Sequence, residues 1–258
     1  MQSSDHRIRK LRIRGDTDEI INAGLVALQD AFNMASFPGL PPGRLLLLRR
    51  MDLGKILQGV SSIALSKLIE DKIQTISAQM VCVDMEEHPD ESIIWFSDKI
   101  QPVLSLIDVY LQNKQPSAWY WKVIFPSWKP GMGLAGACHM ILAEVLEKDY
   151  KAMIGAQIIQ KFLYRQRQRE VFSVLTSELA TRLLSDVGIF PHKAELLSIN
   201  KETSVGRHPD IDKVWLNFLQ AAVSHYGKQA PQTFWLTFNA LVIHNPAVLS
   251  GEDNIGRI

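Results

Sequence analysis

Four consecutive leucines, Leu45 to Leu48, run into the basic pair Arg49-Arg50 and then break at Asp52 and Gly54. A short uncharged apolar run bounded by turn-forming residues predicts a buried strand, here over Leu45 to Leu53. A second basic and aliphatic stretch, His6 to Arg14, precedes it. There Leu11 and Ile13 alternate with Arg12 and Arg14, the period of two expected of a strand with one buried face. Arg9 and Lys10 interrupt the alternation near Ile8, which predicts a bulge or a later start of that strand.

Between the two predicted strands lies a helix opened by Asp16, Thr17 and Asp18. Ile20, Ile21, Gly24, Leu25, Leu28, Ala31, Phe32 and Ala35 recur at spacings of three and four, one apolar stripe able to pack on the strands. Pro38, Pro41 and Pro42 end it. Ser61 or Ser62 then caps a further helix carrying Ile63, Leu65, Leu68, Ile69, Ile73, Ile76 and Met80. The expectation is an N-terminal α+β module, strand-helix-strand-helix, over 1–83.

The remainder, 84–258, reads as a helical domain, so the fold class expected is mainly α with a small α+β module in front. Its acidic stretch from Asp84 to Glu91 suggests a linker. Ile93 to Leu111 reads as a helix that Pro102 kinks or splits. An aromatic and proline-rich segment, 115–131, follows. Helices are then expected over roughly 134–148, 150–166, 168–187, 192–200, 210–226 and 231–244 from the apolar spacing and the Gly and Pro punctuation.

Charge narrows the function classes. With 28 basic and 27 acidic residues the net charge is +1, which supplies no overall attraction to nucleic acid or to an anionic membrane. Cys82 and Cys138 lie far apart with neither zinc nor thioredoxin spacing, so reduced buried thiols are expected. The first residues, Met-Gln-Ser-Ser-Asp-His, lack the apolar core of a signal peptide, and no apolar run approaches the roughly 20 residues that span a bilayer. A cytoplasmic protein without a membrane span is expected.

Short motifs add little chemistry. Gly131, Gly133 and Gly136 have dinucleotide-loop spacing, but Pro126 and Pro130 stand where a strand should precede them. His88-Pro89-Asp90 and His208-Pro209-Asp210 are read as proline turns whose aspartates cap helices. His208, Asp210 and Asp212 alternate as metal ligands would, yet continuation into a helix would splay them. The metalloprotease, phosphate-loop and nucleophile-elbow motifs are absent. No enzyme, cofactor, metal or catalytic residue is therefore expected.

Two features suggest partner binding. Arg7, Arg9, Arg12 and Arg14, with Lys10, form a basic face, reinforced by Arg44, Arg49 and Arg50 if the first two strands are neighbours. Such a face suits phosphates or an acidic protein surface, or is a solvated strand face whose charges guard an edge. The aromatic group Trp119, Tyr120, Trp121, Phe125 and Trp128 is either a rigid anchor for a partner or a plug between helical layers. A second basic cluster, Lys161, Arg165, Arg167 and Arg169, is read as a solvent-exposed helix end.

The order of features resembles tape-measure-type and accessory proteins of phage-tail-like contractile injection systems. The matching elements are His6-Arg7-Ile8-Arg9, Leu28-Gln29-Asp30, Arg50-Met51-Asp52-Leu53-Gly54, the stretch from Leu111 to Trp121, and the leucine-rich Val174 to Leu184. A helix of this length would reach about 390 Å, and the prolines fold the chain shorter still. The resemblance thus implies a non-enzymatic accessory protein that binds a protein component or effector cargo during assembly or loading, rather than a ruler. A structural tail or baseplate-associated subunit, or an enzyme without a readable motif, are the alternatives.

Overall fold

A computed structural model describes residues 8–36, 43–77, 79–84, 86–145, 148–189 and 211–246. The fold is mainly α with a small α+β region. The chain forms two compact units, one of 1–83 with 90–99, the other of 84–89 with 100–258.

In the first unit, helix α1 (Asp18–Met34) starts where Thr17 turns its hydroxyl back to accept the Ile20 N–H at 3.4 Å, and Asp18 and Glu19 complement the positive end of the helix. Strand β1 (Leu45–Leu48) follows. Helix α2 (Ser62–Ser77) is capped by Ser61, whose Oγ accepts from the Ala64 N–H. Leu28, Ala31 and Ala35 of the α1 segment meet Leu65, Ile69 and Ile73 of α2, with Ile13, Leu46 and Met51 packed around them. The half-buried Glu70 ties the end of α1 to α2 by accepting the Ser36 N–H at 2.7 Å.

Strands β2 (Val81–Cys82) and β3 (Ile93–Phe96) complete a sheet of order β1-β3-β2, antiparallel between β1 and β3 and parallel between β2 and β3. Three sequence expectations change here. Residues 8–17 form no strand, although Ile13 does pack inward. β1 stops at Leu48, and Asp52 instead accepts the Gly54 N–H at 2.9 Å in a turn where Gly54 takes φ +73°. Ile93 to Phe96 is the central strand rather than the start of a helix. Asp90 therefore leads into a strand and caps no helix.

The second unit is built on helix α3 (Gln101–Leu111), which Pro102 opens within its first turn, where the missing N–H costs nothing. Nearly every residue from Pro102 to Leu111 is buried, as expected of a helix apolar all round. A short helix α4 (Trp121–Ile124) and α5 (Leu134–Met140) follow, the latter running on into a π-helical turn, Ile141–Val145. Arg182 donates to the Ala143 carbonyl of that turn at 2.8 Å.

Next come α6 (Lys148–Tyr164), α7 (Gln168–Val174) and α8 (Ser177–Asp186). The expected 168–187 helix is broken because Thr176 leaves the helical path and caps α8 through the Leu179 N–H. Helix α9 (Lys213–Tyr226) is capped by Asp212. Helix α10 (Pro231–His244) matches its expected range and buries Trp235, Leu236, Phe238 and Asn239. The helix expected at 192–200 and the His208-Pro209-Asp210 turn lie outside the described residues.

Helices α6 and α10 approach closely at Gly155. A Cβ there would stand 2.9 Å from Cζ2 of Trp235 and 3.0 Å from Oδ1 of Asn239. The glycine is thus required by the packing.

Candidate functional site

The aromatic segment folds inward. Tyr120 and Trp121 are fully buried, with Phe125 and Trp128 nearly so, and Trp119 is half-buried. Tyr120 meets Trp121 edge-on at 4.7 Å, and Trp121 stacks on Phe125 at 6.3 Å. The Trp128 indole N–H donates to the hydroxyl of Tyr110 at 3.0 Å. Three of the four aromatic residues expected to touch a partner, Tyr120, Trp121 and Trp128, therefore belong to the core of the second unit. Large rings with a polar tip fill such space when the tip finds a partner, and here each tip does.

Glu87 holds this segment, a role that reading the chain as an acidic linker does not reveal. One carboxylate oxygen accepts the backbone N–H groups of Ser117 and Ala118, at 2.9 and 3.1 Å, and the indole N–H of Trp121. The neighbouring His88 N–H donates to the Tyr120 hydroxyl at 3.2 Å, and Ser105 donates to the Asp84 carbonyl at 2.7 Å. Asp84, Glu87 and His88 are tied into the second unit by these bonds rather than loosely spanning a gap. Burial, with the Glu87 charge adding to it, pushes the Tyr120 hydroxyl up to about 12.

The second basic cluster divides in the same way. Lys161 pairs with the buried carboxylate of Asp108. Arg167 donates to the Tyr110 and Leu111 carbonyls at 3.2 and 2.9 Å, satisfying the end of α3, and pairs with Glu170. Arg165 and Arg169 stay exposed. An open groove of about 610 Å³ lies between α7 and α9, lined by Arg169, Phe172 and His225 among others. Phe172 stacks on Phe218 at 5.4 Å and on His225 at 5.0 Å, so its ring chiefly closes the contact between the two helices.

The remaining candidates are structural. Cys138 is buried, and burial pushes its thiol up to about 12, which makes it a poor nucleophile at neutral pH. Cys82 sits half-buried on β2, unlinked to Cys138 by any disulfide. The glycines of 131–136 lead into the seven-residue α5, with no strand before them. Asp212 spends its carboxylate capping α9, and its N–H donates to Nε2 of His244. Among the described residues no group of three His, Cys, Asp or Glu side chains is placed to share a metal ion.

The N-terminal basic face stays at the surface. Arg9, Lys10, Arg12 and Arg14 are exposed, and so are the apolar Ile8 and Leu11, at 46% and 39%. Arg7 lies outside the described residues. Because 8–17 is not a strand, this face does not extend the sheet, and Arg44, Arg49 and Arg50 belong to a separate exposed group around β1. Among the described residues, 8–15 enters no backbone–backbone hydrogen bond. No helix among them is long and apolar enough to cross a membrane. Comparison with family models, curated proteins and solved structures finds no match to this chain.

Proposed function

We propose that this chain is a non-enzymatic accessory protein that binds an acidic protein partner. The setting its sequence resemblance suggests is a contractile injection system, where a tail component or effector cargo would be that partner. The observation that carries the binding reading is the stretch from Ile8 to Arg14. It offers four exposed cations beside two exposed aliphatic side chains, and a backbone unpaired among the described residues. Charges give such a surface its choice of partner and its association rate, while the aliphatic groups and free backbone supply short-range contact.

The aromatic segment supports the reading differently from the expectation. Its interior rings brace the second unit, and Trp119 is the one of the four expected aromatic contacts that keeps a partly open face. The test is affinity purification from the native host, with mass spectrometry of the lysate and the sedimented particle fraction. Sheath, tube or cargo proteins should be enriched on the wild-type chain and lost on an Arg9→Glu, Arg12→Glu, Arg14→Glu variant that still folds. Enrichment of unrelated metabolic proteins alone would sink the proposal.

A further inference from the structure

In the antiparallel pair of β1 and β3, residues alternate between those bonded to the neighbouring strand and those pointing away. The Arg49 N–H donates to the Ser92 carbonyl at 2.8 Å, which fixes the phase of the ladder. With the register Leu47↔Ile94 and Leu45↔Phe96, residues 45, 47 and 49 face β3. The N–H and C=O groups of Leu46 and Leu48 therefore point outward. Since β1 lies at one edge of the sheet, those groups have no ladder partner among the described residues.

Natural edges of this kind are commonly blunted by a charge or a proline on the strand, yet β1 is leucine throughout. Its charges stand at the two ends instead. Arg44 is held 3.8 Å above the ring of Trp95, and Arg49 and Arg50 follow the last leucine, all exposed. Among the described residues Arg50 meets a carboxylate at Asp52, an exposed contact at 3.7 Å. The edge is thus an apolar strand template with a positive charge at each end.

We propose that β1 accepts an added strand from a partner protein, an extended β-branched segment flanked by acidic residues about five positions apart. Main-chain bonds to Leu46 and Leu48 would hold the segment, and the arginines would select its flanks. A second copy of this chain fits less well. Antiparallel pairing through Leu46 and Leu48 would set Arg44 of each copy opposite Arg50 of the other, and facing like charges destabilise a pair of strands. This deepens the protein-binding reading above and rests on it only for the origin of the segment.

The experiment uses the full chain and a labelled, end-blocked peptide, Gly-Ser-Glu-Val-Thr-Val-Thr-Glu-Gly-Ser, with a control carrying Lys in place of both Glu. Fluorescence anisotropy gives affinity, and amide hydrogen exchange reads Leu46 and Leu48. The acidic peptide should bind and slow exchange at those two amides, and the Lys peptide should bind at least tenfold more weakly. Leu48→Pro, which removes an outward N–H that an edge strand can forgo, should weaken binding at least tenfold. Arg49→Glu, which leaves the backbone intact, should do the same if the proline variant misfolds.

Equal binding of both peptides, or binding without protection of Leu46 and Leu48, overturns the proposal. Protection that grows with protein concentration in the absence of peptide does so too, by giving the edge to a second copy. Host-partner capture by Arg49→Glu, with Arg9, Arg12 and Arg14 intact, separates the two readings. Host partner retained by Arg49→Glu, together with a wild-type chain that binds no acidic peptide, removes the edge alone, whereas peptide binding by a wild-type chain that captures no host partner removes the accessory role alone.

Discussion

In the first unit a compact apolar set between α1 and α2 supports a three-stranded sheet whose edge strand β1 is half exposed at every residue. In the second, α3 and α10 are buried almost end to end, and even their polar groups are enclosed: Asp108 with Lys161, Asn239 donating to the Trp235 carbonyl. Among the described residues, the first unit's arginines have no buried counter-ion and the outward backbone groups of Leu46 and Leu48 have no ladder partner. In the second, cations such as Lys161 and Arg167 satisfy carboxylates and carbonyls inside the fold. Cationic residues thus do opposite work in the two units, and charge in the sequence does not by itself mark a binding face.

The comparison breaks most visibly at Trp121. Replacing it with Ala removes a fully buried ring and leaves Glu87 short of one of its three donors. A loss of about 3–5 kcal/mol is expected in the second unit, of the order seen for large-to-small core changes. Urea unfolding with hydrogen exchange should place the loss there and leave α1 and α2 protected. A variant as stable as wild type would mean that the aromatic segment is no core at all.

Alkaline pH sharpens the same contrast. The hydroxyl of Tyr120 is raised from its ordinary value of 10.0 to about 12 by burial. A group whose folded pKa is raised contributes its stability fully below the unfolded value and loses it as pH climbs through the folded one. Stability of the second unit should therefore fall as pH rises from about 10 to 12. Tyr120 contributes up to about 2 kcal/mol of that fall once its partial screening is discounted. Tyr226, raised by burial to about 12 in the same unit, contributes alongside it. Tyr120→Phe should make that fall shallower without abolishing it. Denaturant titrations at several pH values, with tyrosinate absorbance, test it, and an equal slope in the two proteins would refute the assignment.

Gly155 offers a smaller perturbation of the same dense interior. A methyl group in Gly155→Ala would collide with the Trp235 ring, and overpacking of this kind costs about 1–3 kcal/mol. Better helix propensity returns up to about 1 kcal/mol, so a net loss of about 1–2 kcal/mol is expected. Thermal unfolding measures it, and a stabilised variant would show that α6 and α10 can separate without penalty.

Legibility in the sequence followed the range of the interaction. Thr17, Ser61 and Pro231 act on residues within one helical turn, and the helices they open, α1, α2 and α10, were readable from caps and periodicity. Ile93 to Phe96 was not, since a buried strand and a buried helix are both uninterrupted apolar runs, and a pairing with β1 more than forty positions away decides between them. The break at Leu175 and Thr176 is not legible in the sequence because a capping threonine also fits inside a helix. Glu87 was invisible for the same reason as β3, its three donors lying some thirty residues further along. Of the surface candidates, the arginines of 9–14 were legible as a cluster, but their separation from Arg44, Arg49 and Arg50 depended on a strand that does not form.

That separation yields the gentlest prediction. If Arg9, Arg12 and Arg14 were part of a packed strand face, truncating them would strip aliphatic stems from the fold as well as charge. They are exposed, and no ion pair involves them among the described residues, so Ala at all three positions should change stability by less than about 0.5 kcal/mol. The same variant should reduce capture of an acidic partner, and added salt should reduce wild-type capture in parallel, since exposed charges act through screened fields. Unchanged stability with lost capture would make these arginines a recognition surface. A loss of stability comparable with that at Gly155 would return them to the fold and leave the edge of β1 as the first unit's binding feature.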